Sequence, residues 1–197
     1  MANWCWTNIH IEHHDQTQLE ALYDLFEQWT SKDFCDHQWR TTNWLGNIVG
    51  NSGIGDPRES TYLCKGKLEQ IDIMPGQLNL ATETAWEPNL KMFKAILDVY
   101  LPDATLTFIT EVTDDGFYAT NDPDYEGKWC VENIGCDEFD CEEREDVPED
   151  ILIKKLKKLL HTRTNDIDKL LDKFEDSDYT DDIYLHKWEI ANIDDFN

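Results

Sequence analysis

Positive charge is what this chain is short of. Lysine and arginine together number 17 against 42 aspartates and glutamates in 197 residues, a formal net charge of −25. DNA, RNA and anionic lipid are all held through basic surfaces, so the balance counts against each as a direct partner. Long apolar runs are missing as well. The longest reach about four residues, far short of the ~18–20 that a membrane-spanning helix needs. Met1-Ala2-Asn3-Trp4-Cys5 carries neither the basic nor the apolar segment of an export signal, and a cytoplasmic location is expected. Without export, Cys5, Cys35, Cys64, Cys130, Cys136 and Cys141 are expected as reduced thiols, not disulfides.

What is present is aromatic and acidic. Eight Trp, seven Tyr and eight Phe in a chain that is 40% hydrophobic are too many for a disordered acidic polymer, and they permit a packed core. The acid is unevenly spread. Glu111–Asp150 holds sixteen acidic residues against Lys128 and Arg144, a local charge of −14; the residues before it carry −8 and those after it −3. Such a field favours a basic partner.

Taken in order, Trp4–Glu12 alternates, with Cys5, Thr7, Ile9 and Ile11 on one face, and reads as a strand. Asp15 is placed to cap a helix running to about Ser31, whose stripe is Leu19, Leu22, Tyr23, Phe26 and Trp29. From Lys32 to Ser60, Asn43-Trp44-Leu45-Gly46 and the glycine-rich Gly50–Pro57 read as loop. The glycines lack the Lys-Ser/Thr that would make them a phosphate cradle. Leu68–Met74 and Gln77–Trp86 flank Pro75-Gly76 as a hairpin. Pro88 opens a helix to about Leu101 through Leu90, Phe93, Leu97 and Tyr100, and Pro102 stops it. Ala104–Val112, Phe117–Thr120 and Lys128–Ile134 read as extended.

Strand, helix, hairpin, helix, strand is the element order of a ferredoxin-like α/β sandwich, an α+β fold with helices on one face of an antiparallel sheet. Residues 1–134 are assigned to it and residues 135–147 to an acidic linker. A C-terminal helical extension follows over 148–197, with Asp146 and Glu149 as a capping box. Its two helices, Pro148–Leu160 (Leu152, Leu156, Leu159, Leu160) and Asn165–Glu175 (Ile167, Leu170, Leu171, Phe174), read as a helical hairpin. Ile183–Ile190 fits a strand or a short helix.

Several short elements carry a family resemblance. Met1-Ala2-Asn3-Trp4-Cys5 with Asn8, Asn43-Trp44 before Gly46, Thr84-Ala85-Trp86 with Pro88, and Tyr100-Leu101-Pro102 before a strand ending at Glu111 are its residues. Together they resemble the phage- and plasmid-borne proteins with a YubB-like ferredoxin-like domain. The match covers roughly residues 1–134. Leu45 is inserted between the Trp and the Gly, and Asn89 stands where the family has a second proline. The resemblance implies the fold and a mobile-element origin, and it transfers no catalytic residue.

Candidate chemistry is sparse. Cys130, Cys136 and Cys141 lie close in sequence, but without CxxC spacing, and a fourth ligand would have to be Asp140, His161 or a more distant group. Asp122, Asp124 and Glu126 resemble half a calcium loop, yet Asn133 occupies the position where glutamate is needed. Cys35-Asp36-His37 sets a thiol beside an imidazole, though side chains so adjacent usually point apart. Trp4, Trp6, Trp44, Trp86 and Trp129 could stack on bases, but at this charge they fit core or sheet-face positions better. No cofactor, metal or enzymatic activity is expected.

The carboxylates themselves are the expected site. Asp122, Asp124 and Glu126 would share one face of an extended segment, with Asp114 and Asp115 before them. Asp137, Glu138, Asp140, Glu142 and Glu143 continue the run. Charge this dense imitates a nucleic-acid backbone. With the mobile-element resemblance, it leads to the expectation of an inhibitor of a host defence complex, of anti-CRISPR or anti-restriction type, seated on a basic nucleic-acid-binding surface. The alternatives are a module docking through its C-terminal helices and, less favoured, a metal-dependent enzyme.

Overall fold

The computed structural model describes residues 3–34, 43–59, 62, 64–112, 116–141 and 143–196. They form two compact units, one from residues 1–122 with 190–197 and the other from residues 123–189.

The first unit is built on β1 (Trp4–Glu12), whose alternation buries Cys5, Thr7, Ile9 and Ile11. Helix α1 (Gln16–Thr30) follows, with the Asp15 carboxylate accepting from the Thr17 amide as its N-cap. It buries Leu19, Leu22, Phe26 and Trp29. Strands β2 (Gly66–Met74) and β3 (Gln77–Ala85) meet at Pro75-Gly76, where Gly76 has φ +81°, a left-handed geometry that favours glycine. Helix α3 (Leu90–Tyr100) buries Leu90, Met92, Phe93, Ile96 and Leu97. Strands β4 (Thr105–Val112) and β5 (Phe117–Thr120) complete the run.

Two features depart from expectation. Residues expected as loop form helix α2 (Leu45–Ser52), which buries Leu45, Ile48 and Val49. Gly46 lets the Trp44 ring lie against this helix, because a Cβ there would overlap the indole. The Trp44 Nε1 in turn donates to the Cys64 carbonyl. The sheet is also larger than expected. Its order is β2-β3-β1-β4-β5-β9, where β9 is the two-residue strand Glu189–Ile190.

The second unit corrects the fold further. Strand β6 (Lys128–Asn133) lies between β7 (Arg144–Pro148) and β8 (Ile183–Lys187), both antiparallel to it. Helices α4 (Glu149–Leu159) and α5 (Ile167–Glu175) share a core with this sheet. That core contains Trp129, Val131, Cys136, Phe139, Val147, Leu152, Leu156, Leu159, Leu170, Phe174 and Ile183. A simple ferredoxin-like sandwich with a C-terminal helical hairpin is therefore not what the chain forms. The fold is α+β with a six-stranded and a three-stranded sheet, and the two C-terminal helices pack on a sheet of their own.

Residues expected as linker supply β7. The expected capping box is absent: Pro148 stands at the N-cap of α4 without a side-chain hydrogen bond. Asp146 instead accepts from Trp188 Nε1 at 2.7 Å. Ile183–Lys187 resolves as strand. Among the described residues no helix is long and apolar enough to cross a membrane.

Candidate functional site

The expected carboxylates divide into three groups. Asp114, Asp115 and Glu142 lie outside the described residues, as do Cys35, Asp36 and His37. Asp122, Asp124 and Glu126 do not line an extended face, because Pro123–Tyr125 is a turn of 3-10 helix. The two-residue repeat that would align them belongs to strands alone. Asp122 and Asp124, moreover, each engage a partner within the protein.

The third group holds together. Asp137, Glu138, Asp140 and Glu143 are all exposed on the segment between β6 and β7. This segment is anchored rather than slack. Asn133, at the end of β6, donates from Nδ2 to the carbonyls of Cys136 (3.0 Å) and Phe139 (3.2 Å). Its Oδ1 accepts from the Cys136 amide at 2.9 Å. Cys136 and Phe139 are buried in the second unit's core, and the Lys155 ammonium lies 5.7 Å from the centre of the Phe139 ring. Two buried side chains thus pin the loop from beneath while its carboxylates face water.

Sequence reasoning missed half of this surface. Tyr179 donates its hydroxyl proton to Glu138 Oε2 at 3.0 Å, and the Ile134 amide donates to the Asp182 carbonyl at 2.8 Å. These bonds bring the 3-10 turn Asp178–Asp181 and the following Asp182 beside the acidic loop. The hydrogen bond to Glu138 is also the main reason the Tyr179 phenol titrates above its ordinary value, with burial second. Among the described residues, none of Asp137, Glu138, Asp140, Glu143, Asp178, Asp181 and Asp182 takes part in an ion pair. Five of the unit's ten lysines and arginines are matched elsewhere: Lys155 to Glu145, Lys154 to Asp150, Lys169 to Asp166, Lys187 to Glu149 and Arg144 to Glu132. The result is an anchored surface of carboxylates outside these ion pairs, a source of negative potential, with the Lys155 ammonium at its edge donating to the Asp140 carbonyl.

Beside it, Asp140, Cys141, Glu145 and Lys155 line a shallow depression. Burial first, then the hydrogen bond and charge of Glu145, push the Cys141 thiol up to about 12. Glu145 is itself desolvated, which alone would raise it, but hydrogen bonds with Cys141 and Lys155 prevail and keep its carboxyl below the usual range. A thiol held protonated is a poor nucleophile. Cys141 should therefore alkylate with iodoacetamide at pH ~8.5 at least ~10-fold more slowly than in the unfolded chain, because only the thiolate reacts. Glu145→Gln should restore part of that rate. Equal rates in folded and unfolded chain would show that the thiol is not shielded.

Other groups offer no clearer chemistry. Cys5, also raised by burial before any other cause, sits in a buried hydroxyl cluster, 3.0 Å from Thr110 Oγ1, with Thr7 Oγ1 2.8 Å from Thr110 Oγ1. No group of three or more His, Cys, Asp or Glu among the described residues is arranged to hold a metal ion. His13 Nδ1 accepts from the Asp15 amide at 3.1 Å, at the start of α1.

The carboxylate surface is thus the feature that geometry singles out. Comparison with protein-family models, with curated proteins and with solved structures returns no match for this chain.

Proposed function

We propose that this protein is a phage or mobile-element accessory factor that inhibits a host nucleic-acid-binding defence complex by occupying its basic surface. The reading places it in the host cytoplasm and makes it a binder, not an enzyme. One observation carries it: the anchored, exposed carboxylates of Asp137, Glu138, Asp140 and Glu143, none of them in an ion pair among the described residues, joined by Asp178, Asp181 and Asp182. The mobile-element resemblance of residues 1–134 supports the habitat.

The mechanism is electrostatic. A groove that binds DNA gains affinity by releasing the counterions condensed on phosphates spaced ~1.7 Å apart along the axis. A protein surface of like sign is steered to the same groove, and once seated it excludes the nucleic acid by charge and by bulk. Anchoring matters because a flexible acidic loop would lose conformational entropy on docking, whereas a pre-ordered one has already done so.

Docking through the C-terminal helices is less well supported. Leu152, Leu156, Leu159, Leu170 and Phe174 are buried in the second unit's own core, so that stripe is already occupied.

A pull-down from host lysate at low and high salt, using the natural chain and a variant carrying Asp137→Asn, Glu138→Gln, Asp140→Asn and Glu143→Gln, tests the proposal. The natural chain should capture a nucleic-acid-binding complex at low salt and lose most of it at high salt. The variant should bind at least ~10-fold more weakly with an unchanged circular dichroism spectrum, since each lost charge contact lowers affinity. Equal capture by the two proteins would sink the mimicry reading.

A further inference from the structure

A stretch of this acidic chain carries the opposite sign. From Lys154 to Lys173, seven lysines and arginines stand against Asp166, Asp168 and Asp172, a local charge of +4 in a chain of −25. It runs from the second half of α4, through the turn 161–165, to the last turn of α5. The turn is built locally. His161, with φ +48°, leads the chain out of α4 in a left-handed geometry. Lys157 donates to Asn165 Oδ1 and Lys173 donates to Thr162 Oγ1 at 3.1 Å, so lysines tie down both ends of the turn.

Four of these cations have no carboxylate partner. Lys154, Lys155 and Lys169 pair with Asp150, Glu145 and Asp166, whereas Lys157, Lys158, Arg163 and Lys173 join no ion pair among the described residues. Lys158 and Arg163, both exposed, make no side-chain hydrogen bond there either. The helix dipole explains part of the placement, because Lys157 and Lys158 lie in the last turn of α4 and Lys173 in that of α5. At about half a unit charge per helix end it cannot neutralise them, and it leaves Arg163 unexplained.

We propose that this basic turn docks on the carboxylate loop of a second copy of the protein. The exposed carboxylates of Asp137, Glu138, Asp140 and Glu143 are likewise outside every ion pair among the described residues. Both surfaces belong to the second unit, yet within one copy they do not pair with each other. The match is left to be made between copies.

Net charge works against the approach. Two copies of −25 repel at long range, but salt confines that field, with a Debye length of about 30 Å at 0.01 M and about 8 Å at 0.15 M ionic strength. At the higher value only charges close to the contact count, and there the signs are opposite. Nucleic acid would offer phosphates to the same cations, but no cation to the carboxylates around them. A second copy brings both signs. This inference uses the carboxylate surface and not the host partner proposed for it, so its failure would leave that reading standing.

Sedimentation of the full chain at about 0.01, 0.15 and 1 M salt tests it, since the Debye length falls from about 30 to 8 to 3 Å. Self-association should be strongest at the middle value, because repulsion prevails below it and the contact is screened above it. Lys158→Gln with Arg163→Gln removes two charges and no side-chain hydrogen bond among the described residues, and should weaken self-association at least ~5-fold. Asp137→Asn, Glu138→Gln, Asp140→Asn and Glu143→Gln together should weaken it as much, although they lower the repulsion between copies. Each variant keeps the surface that the other lacks. An equal mixture of the two should therefore associate to within ~3-fold of the natural chain. A monomer at all three salts would overturn the proposal. So would association that goes on rising to the highest salt, or a mixture that stays monomeric.

Discussion

Phe139→Ala should abolish most partner binding without removing a single charge. Phe139 is 3% exposed and forms part of the second unit's core, while both flanks of its loop carry the carboxylates assigned to binding. Truncating a buried phenylalanine costs about 3–5 kcal/mol where the whole structure must absorb the cavity. A loop has another option. It can detach, and the loss is then capped at what holds the loop down, namely Phe139, Cys136 and the hydrogen bonds from Asn133. Each of those hydrogen bonds contributes about 1 kcal/mol net. Repulsion among unpaired carboxylates favours detachment too, more so at low salt. The expected result is a folded protein with fast amide exchange at residues 136–141 and at least ~10-fold weaker capture of the partner, the penalty of ordering the loop on binding. Should Phe139→Ala unfold the unit, Asn133→Ala provides the milder disturbance, since it removes the bonds to the Cys136 and Phe139 carbonyls. Full binding by an exchanging, detached loop would show that charge alone matters and that its placement does not.

That contrast between charge and placement also marks what could be read from residues alone. Local periodicity sufficed for β1, α1, the β2–β3 hairpin, α3 and α5. In each, the buried residues recur at two- or three-to-four-residue spacing, and the punctuation is chemical: Asp15 as a cap, Pro75-Gly76 as a turn, Pro102 as a stop. Helix α2 was hidden because its sequence, Leu-Gly-Asn-Ile-Val-Gly-Asn-Ser, is poor in helix formers. Its stability comes from burial of Leu45, Ile48 and Val49 and from the Trp44 ring packed on Gly46, and such contacts are tertiary. Strand β7 was hidden for a similar reason. Arg-Glu-Asp-Val-Pro has one buried residue, Val147, and becomes a strand by pairing with β6. The carboxylate surface was half legible. Its loop could be read from composition, and Cys136 and Phe139, islands in an acidic run, were the available sign of anchoring. Asp178, Asp181 and Asp182 arrive from about forty residues away through Tyr179 and Ile134, and no local pattern announces that.

Leu156→Asp carries the largest expected effect on stability, and it separates the two units. Leu156, on α4, is fully buried in the core that α4, α5 and the three-stranded sheet share. Losing its side chain costs about 2–5 kcal/mol. A carboxylate buried among these apolar side chains adds several more, because it is taken out of water without a compensating charge. A core the size of residues 123–189 rarely supplies more than ~3–5 kcal/mol by itself. The second unit should therefore unfold in native buffer. The first unit should not. Its core is a separate cluster, and its C-terminal return places Phe196 among Ile9, Leu106 and Phe108. Disordering residues 123–189 turns them into a long loop, and closure cost grows only logarithmically, at about 0.6 kcal/mol per doubling of length. Amide exchange resolved by residue should show protection lost in β6, β7, β8, α4 and α5 and retained in β1, β3, β4, α1 and α3. Loss of protection in both sets would mean that the first unit depends on the second for its fold. Protection in both would mean that Leu156 is not in the core described. In the expected outcome capture of the defence complex through the carboxylate loop should vanish although the first unit stays folded, which places the binding surface in the second unit.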